Sequence, residues 1–311
     1  MSLSIKALSQ EIKIQALALG FDACGFCRAG YIGDAEATRL EKWLDNGYYA
    51  GMEYMARNFE KRCDPSLLVD NAKSVICVAL NYYPIHKQNE NNPQFAYYAY
   101  GKDYHDVMKN KLERLLEFIR SVYPDTHGRC FCDTAPLLER HWAMKAGVGF
   151  IGKNTMLIIP DKGSYFFLGE IVLDMELEYD EPLKISCGNC TRCLQHCPTD
   201  ALENEFILNS RKCISYQTIE NKGEIDEDIV PFLETCAYGC DICQQICPWN
   251  RFAHPHDVDD FMPSEEFMNL SFERLENLSE EDYRLMFKGS AVKRAKYKGL
   301  MRNFRAMKSK E

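Results

Sequence analysis

No stretch of this sequence is apolar for long enough to span a bilayer, which takes about 20 residues; runs such as SVICVAL from Ser74 stop well short of that. Positive charge is not in excess either. Against 37 Lys and Arg stand 46 Asp and Glu, a formal charge of −9. This excludes a protein that coats nucleic acid indiscriminately, because nonspecific affinity comes from neutralised phosphates. Internal repeats and low-complexity tracts are missing. A nicotinamide or flavin fingerprint is missing too, since the glycine cluster GVGFIG at Gly147–Gly152 follows a predicted helix rather than a strand. The first residues, MSLSIKALSQEIKIQALALG, mix Glu11 and Lys13 into a helical pattern and do not read as a secretory leader. The expected location is the cytoplasm, with no membrane partner.

Cysteine, by contrast, is abundant at 15 residues. In a reducing compartment thiols stay free, so metal binding or catalysis is their expected use rather than a disulfide framework. The run CGNCTRCLQHCP places Cys187, Cys190, Cys193 and Cys197 at the C-x-x-C-x-x-C-x-x-x-C-P spacing of bacterial ferredoxins. Three closely spaced thiolates wrap corners of one cube, and the fourth points toward a neighbouring cluster. A second run, CAYGCDICQQICP, holds Cys236, Cys240, Cys243 and Cys247 and again ends in Cys-Pro. Exchange of fourth ligands then gives one [4Fe-4S] cluster on Cys187, Cys190, Cys193 and Cys247. The other takes Cys197, Cys240, Cys243 and one more thiolate, for which spacing leaves Cys213 and Cys236 open. Paired C-x-x-C elements also make zinc sites, but zinc has no use for two matched Cys-Pro endings. Cys24, Cys27, Cys63, Cys77, Cys130 and Cys132 are scattered through predicted strands and turns and read as small buried hydrophobes.

Apolar spacing predicts a helix over Ile5–Leu19, and FDACGFC and SVICVALNYYP read as strands. A long helix from about Asp103 runs to Pro124, the strand GRCFCDTAP follows, and a helix spans Pro136–Ala146 before strands MLIIP and YFFLGEIVLDM. Interspersed strands and helices give an α/β (α+β) domain over residues 1–180. A cysteine-dense module with few apolar residues occupies 181–255, its cohesion expected from metal. Residues 256–311 read as a helical C-terminal extension with a basic tail of Lys288, Lys293, Arg294, Lys296, Lys298, Arg302, Arg305, Lys308 and Lys310.

Clusters move single electrons and do not reduce an organic substrate unaided, so a further redox centre is expected in the first domain. The segments YAYGKDYHDVMKNKLERL, DTAPLLERHWAMKAGVGFIGKNTMLI, CGNCTRCLQHCPTDAL, RKCISYQTIE, YGCDICQQICPWNRF and GSAVKRAKYKGLMRNF run in order across nearly the whole chain. In these the chain resembles the epoxyqueuosine reductases, cobalamin-dependent enzymes of the last step of queuosine biosynthesis in tRNA.

The resemblance implies a nitroreductase-like, corrinoid-binding domain, of a type shared with reductive dehalogenases, fused to the two-cluster ferredoxin-like module. It favours Cys213 as the last ligand of the second cluster and leaves Cys236 as a spare thiol. It implies a base-off cobalamin that needs no cobalt-ligating histidine. The corrinoid motif D-x-H-x-x-G is approached by Asp103, Tyr104 and His105 but broken at Met108, so His105 reads as a structural or hydrogen-bonding residue. Asp133 matches the family's proton donor, with burial beside the corrin expected to raise its pKa; read without the family it would be a helix N-cap. Arg140 is expected on the tRNA, and Arg57, Tyr97, Lys153, Asn154, Ser215 and Tyr216 near the corrinoid. Longer relatives continue past the position of Phe304 into helical repeats that help hold tRNA, so Lys293 and Arg294 are expected to carry phosphate contacts here. The donor of electrons is expected to be a low-potential flavodoxin or ferredoxin. Two other readings use the same cluster motifs: a dehalogenase-like corrinoid enzyme, and a non-catalytic electron-transfer protein.

Overall fold

The computed structural model describes residues 4–308; Lys310, counted above in the basic tail, lies outside them. Helix α1 (Ile5–Ala18) starts at Ser4, whose Oγ accepts the Ala7 N–H at 3.2 Å. Strand β1 (Ala23–Arg28) follows, then β2 (Ser74–Asn81), helix α2 (Tyr104–Val122) capped by Asp103, strand β3 (Gly128–Phe131), helix α3 (Glu139–Lys145) and strand β4 (Phe166–Leu173). The four strands form one antiparallel sheet in the order β1-β2-β4-β3.

Side-chain alternation gives the sheet two buried faces. Ile76, Val78 and Leu80 of β2 and Phe167, Ile171 and Leu173 of β4 meet Leu8 and Ile12 of α1 and Leu112 and Leu115 of α2. The alternate residues Val75, Cys77 and Ala79 with Leu168 and Val172 meet Trp142 and Ala143 of α3. Gly169 lets α2 come close, since a Cβ there would meet Met108 Cε at 2.7 Å. Met108, the residue that breaks the corrinoid motif, is thus a core residue. Helix α3 is shorter than expected at its start, because residues 133–138 are used in a loop rather than a first helical turn.

The cysteine-dense segment contributes short helices α4 (Arg192–Gln195), α5 (Ile214–Ile219) and α6 (Ile242–Gln245) and strand β5 (Cys236–Tyr238), which pairs in parallel with Gln94–Phe95. The C-terminal segment packs into the molecule: Phe261, Phe267, Phe287, Leu300 and Phe304 share one core with Leu112 and Tyr238. Core packing therefore crosses the expected boundaries near 180 and 255. Arg302, on helix α7 (Lys296–Lys308), is not part of a basic surface. It is 6% exposed, and its guanidinium donates to the carbonyls of Gln217, Asn221 and Gly223. Those three acceptors give a buried cation the compensation it needs. Arg302→Ala strips them of their donor and is expected to destabilise the chain by about 3 kcal/mol. Urea unfolding followed by circular dichroism checks this, and an unchanged midpoint would refute the buried role.

Candidate functional site

Cys187 and Cys190 lie on the loop entering α4, Cys193 is in its first turn, and Cys247 follows α6; together they line one cavity with Lys153, Asn154, Pro248 and Trp249. Burial, followed by the neighbouring Cys187, pushes the Cys193 thiol up to about 11. A second group forms around Cys213. The hydrogen bond with Cys236, then burial, then the charges of Cys236 and Cys213 push the Cys240 thiol well up, and burial, followed by Cys213 and more weakly Cys197, raises that of Cys243. Thiolates crowded this way repel one another, and a cationic metal centre relieves the repulsion. Backbone N–H groups already aim at several sulfurs: those of Ser215 and Tyr216 at Cys213, that of Ile242 at Cys240, and those of Trp249 and Asn250 at Cys247. Such donors stabilise cluster-bound thiolate. The donor set and its spacing thus fit iron–sulfur clusters.

Asp133 lies beyond the end of β3 at φ 55°, a left-handed conformation that aspartate tolerates better than most residues. It does not cap α3, whose N-cap is Leu138 without a side-chain bond. Its carboxylate instead accepts the Tyr104 hydroxyl at 2.7 Å and faces His105 Nε2 at 3.5 Å. His105 Nδ1 lies 2.6 Å from Asp103 Oδ1, and the Tyr104 ring stacks on Phe167 at 4.3 Å. Hydrogen bonds that the ring donates to Asp103 and Asp133 raise the imidazole to about 9, so His105 is an imidazolium at neutral pH. The expected rise in the Asp133 pKa is reversed. The hydrogen bond to His105 lowers it against the opposing effect of burial, with Tyr104 adding to the lowering. Although ringed by protein atoms, the Asp133 side chain is 61% open to solvent, so the hydrogen bonds outweigh desolvation. Behind it, the Asp133 N–H donates to Glu139 Oε1.

The other expected residues distribute around these two centres. Arg140 donates to the Thr155 carbonyl at 2.6 Å and its charge lowers Asp133. Arg294 grips Glu220 with two bonds, 2.6 and 2.7 Å, while Lys293 is exposed. Tyr54 joins the two regions, feeling the charges of Glu220, Asp133 and Arg294. Lys153 pairs with Glu205 at 2.7 Å beside the first thiol cavity, and Asn154 donates to the Cys243 carbonyl at 3.3 Å. Tyr97 is buried, its N–H on Asp241 at 2.8 Å. Tyr216 lines an open polar cavity of about 250 Å³ with Gly51 and Arg211, and its hydroxyl accepts the Gly51 N–H at 2.8 Å. Ser215 is half-buried beside it, and Arg57 is exposed. Sequence reasoning missed Tyr104, Glu220 and Glu170. Tyr104 had a signal in its place between Asp103 and His105, whereas a glutamate within the strand YFFLGEIVLDM gave none.

A family model described as "Epoxyqueuosine reductase QueG, DUF1730" matches residues 62–134, and one described as "4Fe-4S double cluster binding domain" matches residues 186–250. An epoxyqueuosine reductase of Cellulophaga algicola is 44% identical over 300 residues, covering 96% of this chain and 98% of the relative. The chain belongs to the epoxyqueuosine reductase family. A solved epoxyqueuosine reductase with an epoxyqueuosine-modified tRNA-Tyr stem loop superposes with TM-score 0.91 at 32% identity, covering 98% of this chain and 81% of that one. The epoxyqueuosine reductase of Bacillus subtilis, in a structure with its aspartate catalytic loop swung out of the active site, also gives TM-score 0.91 at 32% identity, with 98% and 82% covered. The double-cluster match spans both cysteine runs, so this reductase carries 4Fe-4S clusters.

Proposed function

We propose that the chain reduces epoxyqueuosine to queuosine within a tRNA at the Asp133 site. The reaction removes the epoxide oxygen as water and consumes two electrons and two protons. The observation that carries the reading is Asp133 itself, a carboxylate with a proton-bearing imidazolium 3.5 Å away, in a chain of this family. We assign the first cluster to Cys187, Cys190, Cys193 and Cys247, and the second to Cys197, Cys213, Cys240 and Cys243. A base-off cobalamin fits near Gly51, Arg57, Tyr97, Lys153, Asn154, Ser215 and Tyr216. The supporting observation is the open polar cavity that Gly51 and Tyr216 line together. When bound, these groups supply single electrons and a cobalt centre able to attack and reduce the epoxide carbon.

What the chain itself provides is the proton. A leaving alkoxide is strongly basic, and protonation in the transition state is worth about a hundred- to ten-thousand-fold in rate. Asp133 alone would be ionised at neutral pH, but Asp133 and His105 hold one proton between them. Tyr104 fixes the carboxylate and Asp103 fixes the imidazole, so the proton reaches the alkoxide through Asp133 while His105 resupplies it. Catalysis is assigned to residues 1–180, the clusters to 181–255 and support to 256–311. Among the described residues no helix is long and apolar enough to cross a membrane. The cytoplasm, where tRNA and a low-potential flavodoxin or ferredoxin donor are found, is the location we assign.

The test is anaerobic incubation of cluster- and cobalamin-loaded protein with a low-potential reductant and epoxyqueuosine-containing tRNA, read by nucleoside mass spectrometry. Queuosine is expected, and its absence with fully loaded protein would reject the reading. For the tRNA surface, Arg140 and Arg294 already spend their guanidinium groups on Thr155 and Glu220. They contact phosphate only through their remaining donors, while Lys293 is exposed. Lys293→Glu is expected to weaken tRNA binding and reduce the salt slope by about 1. Fluorescence anisotropy at several salt concentrations checks this, and an unchanged slope would remove Lys293 from the interface.

A further inference from the structure

We propose that Glu170 keeps its proton and donates it to Glu139 across the sheet–helix interface, so that the two act as positioning residues holding the loop that carries Asp133. The proposal rests on the assignment of Asp133 as proton donor. Glu170 sits in the middle of β4 on the face occupied by Leu168 and Val172, is 0% exposed, and opposes Cys77 on β2 and Phe131 on β3. Neither of its carboxylate oxygens meets a hydrogen-bond donor among the described residues. Its neighbour within hydrogen-bond reach is another acceptor, the carboxyl of Glu139 on α3. Two carboxylates facing each other in an apolar layer cannot both be ionised, and one proton between them turns a repulsive contact into a strong O–H···O bond.

The geometry says what that bond holds. The other side of Glu139 accepts the backbone N–H of Asp133, whose φ of 55° departs from the ordinary β and α regions. A strained residue keeps its conformation only when its surroundings over-determine it. Here the chain of restraint runs from the β4 backbone through Glu170 and Glu139 to the Asp133 amide. The order of the two acids follows from their tasks. Glu139 must accept from the amide, so Glu170, without any other donor, carries the proton and gives it to Glu139.

The groups facing this pair are Cys27 of β1, Cys77 of β2, Cys132 and Asp133 after β3, Arg140 of α3 and His105 of α2. Only Arg140 and His105 are cationic. Burial, then the charge of Asp133, pushes Glu139 up to about 8, and burial followed by Glu139 pushes Glu170 further up. A raised carboxyl pKa means that the proton is held below that value and lost as pH rises through it. Glu139 therefore ionises first, near 8, while Glu170, raised further, keeps its proton and gives it to the new carboxylate, so the latch tightens as pH rises through that value.

Hydrogen exchange of the peptide spanning Cys132–Leu138, measured on cluster-loaded protein, tests the latch without turnover. Its failure is therefore separable from failure of the catalytic assignment. In the parent, protection of the Asp133 amide is expected to rise about tenfold between pH 7 and pH 9, after correction for intrinsic rates. Glu170→Gln, whose carboxamide N–H cannot titrate away, is expected to keep protection across that range. Glu139→Leu is expected to lose it throughout. Infrared difference spectra should still show a protonated-carboxyl stretch at pH 9 in the parent and in Glu139→Gln, absent from the isosteric Glu170→Gln. The same pH dependence of protection in parent and Glu170→Gln would overturn the proposal, as would a carboxyl band at pH 9 that survives Glu170→Gln.

Discussion

Asp133→Asn is expected to lower queuosine formation by about a hundred- to ten-thousand-fold while leaving iron content, corrinoid retention and tRNA affinity near those of the parent. Asparagine keeps the acceptor oxygen for the Tyr104 hydroxyl, so the local packing survives. What disappears is the group through which a proton crosses from His105 to the leaving oxygen. The same substitution has a spectroscopic consequence. His105 loses one of the two carboxylates that raise it to about 9, keeps Asp103, and should titrate lower. Proton NMR of the ring checks this without any turnover.

The pH dependence of the parent follows with a definite sign. The His105 pKa is raised above its unfolded value near 6.5, so its stabilising charge is fully present below that value and is lost as pH rises through about 9. Both the proton supply and that part of the stability should therefore decline on the alkaline side. An alkaline limb in single-turnover rates that stays unchanged in His105→Asn would detach the imidazole from the proton path. A wild-type rate in Asp133→Asn would remove the acid assignment altogether.

Much of this site was legible because its chemistry is written in short-range spacing. Two cysteine runs ending in Cys-Pro state the cluster count before any fold is known, and the double-cluster match spans both. The strands around Ala23, Ser74, Gly128 and Phe166 were legible from apolar alternation. Less legible was whatever depended on contacts far apart in sequence. Arg302 looks like one more tail cation until three carbonyls from residues 217–223 close around it. The Asp133 pKa was argued from burial alone, and its direction turned on a histidine 28 residues earlier that reaches it from the first turn of α2. Glu170 has no local signature, because a charged residue within an apolar strand announces nothing about its partner on a helix.

The choice between Cys213 and Cys236 is the other place where a single substitution has a large effect. Cys213→Ala is expected to cost one whole cluster, taking anaerobically reconstituted protein from about eight irons per chain toward about four, and queuosine formation with it. Cys236→Ala should retain both. The reason lies in how each sulfur is held. Cys213 precedes α5 and its sulfur is aimed at by the N–H groups of Ser215 and Tyr216, which favour a thiolate in place. Cys236 lies on β5, whose pairing with Gln94–Phe95 fixes its backbone, and its thiol meets that of Cys240. A strand residue of that kind can move toward the cluster only by giving up its register, so it is a poor replacement for the missing ligand. Iron and acid-labile sulfide analysis with electron paramagnetic resonance of the reduced protein reads the outcome. The reverse pattern, iron lost from Cys236→Ala and kept in Cys213→Ala, would exchange the two assignments. Stoichiometric zinc with negligible iron in the anoxically prepared parent would mean that the thiol groups hold a different metal.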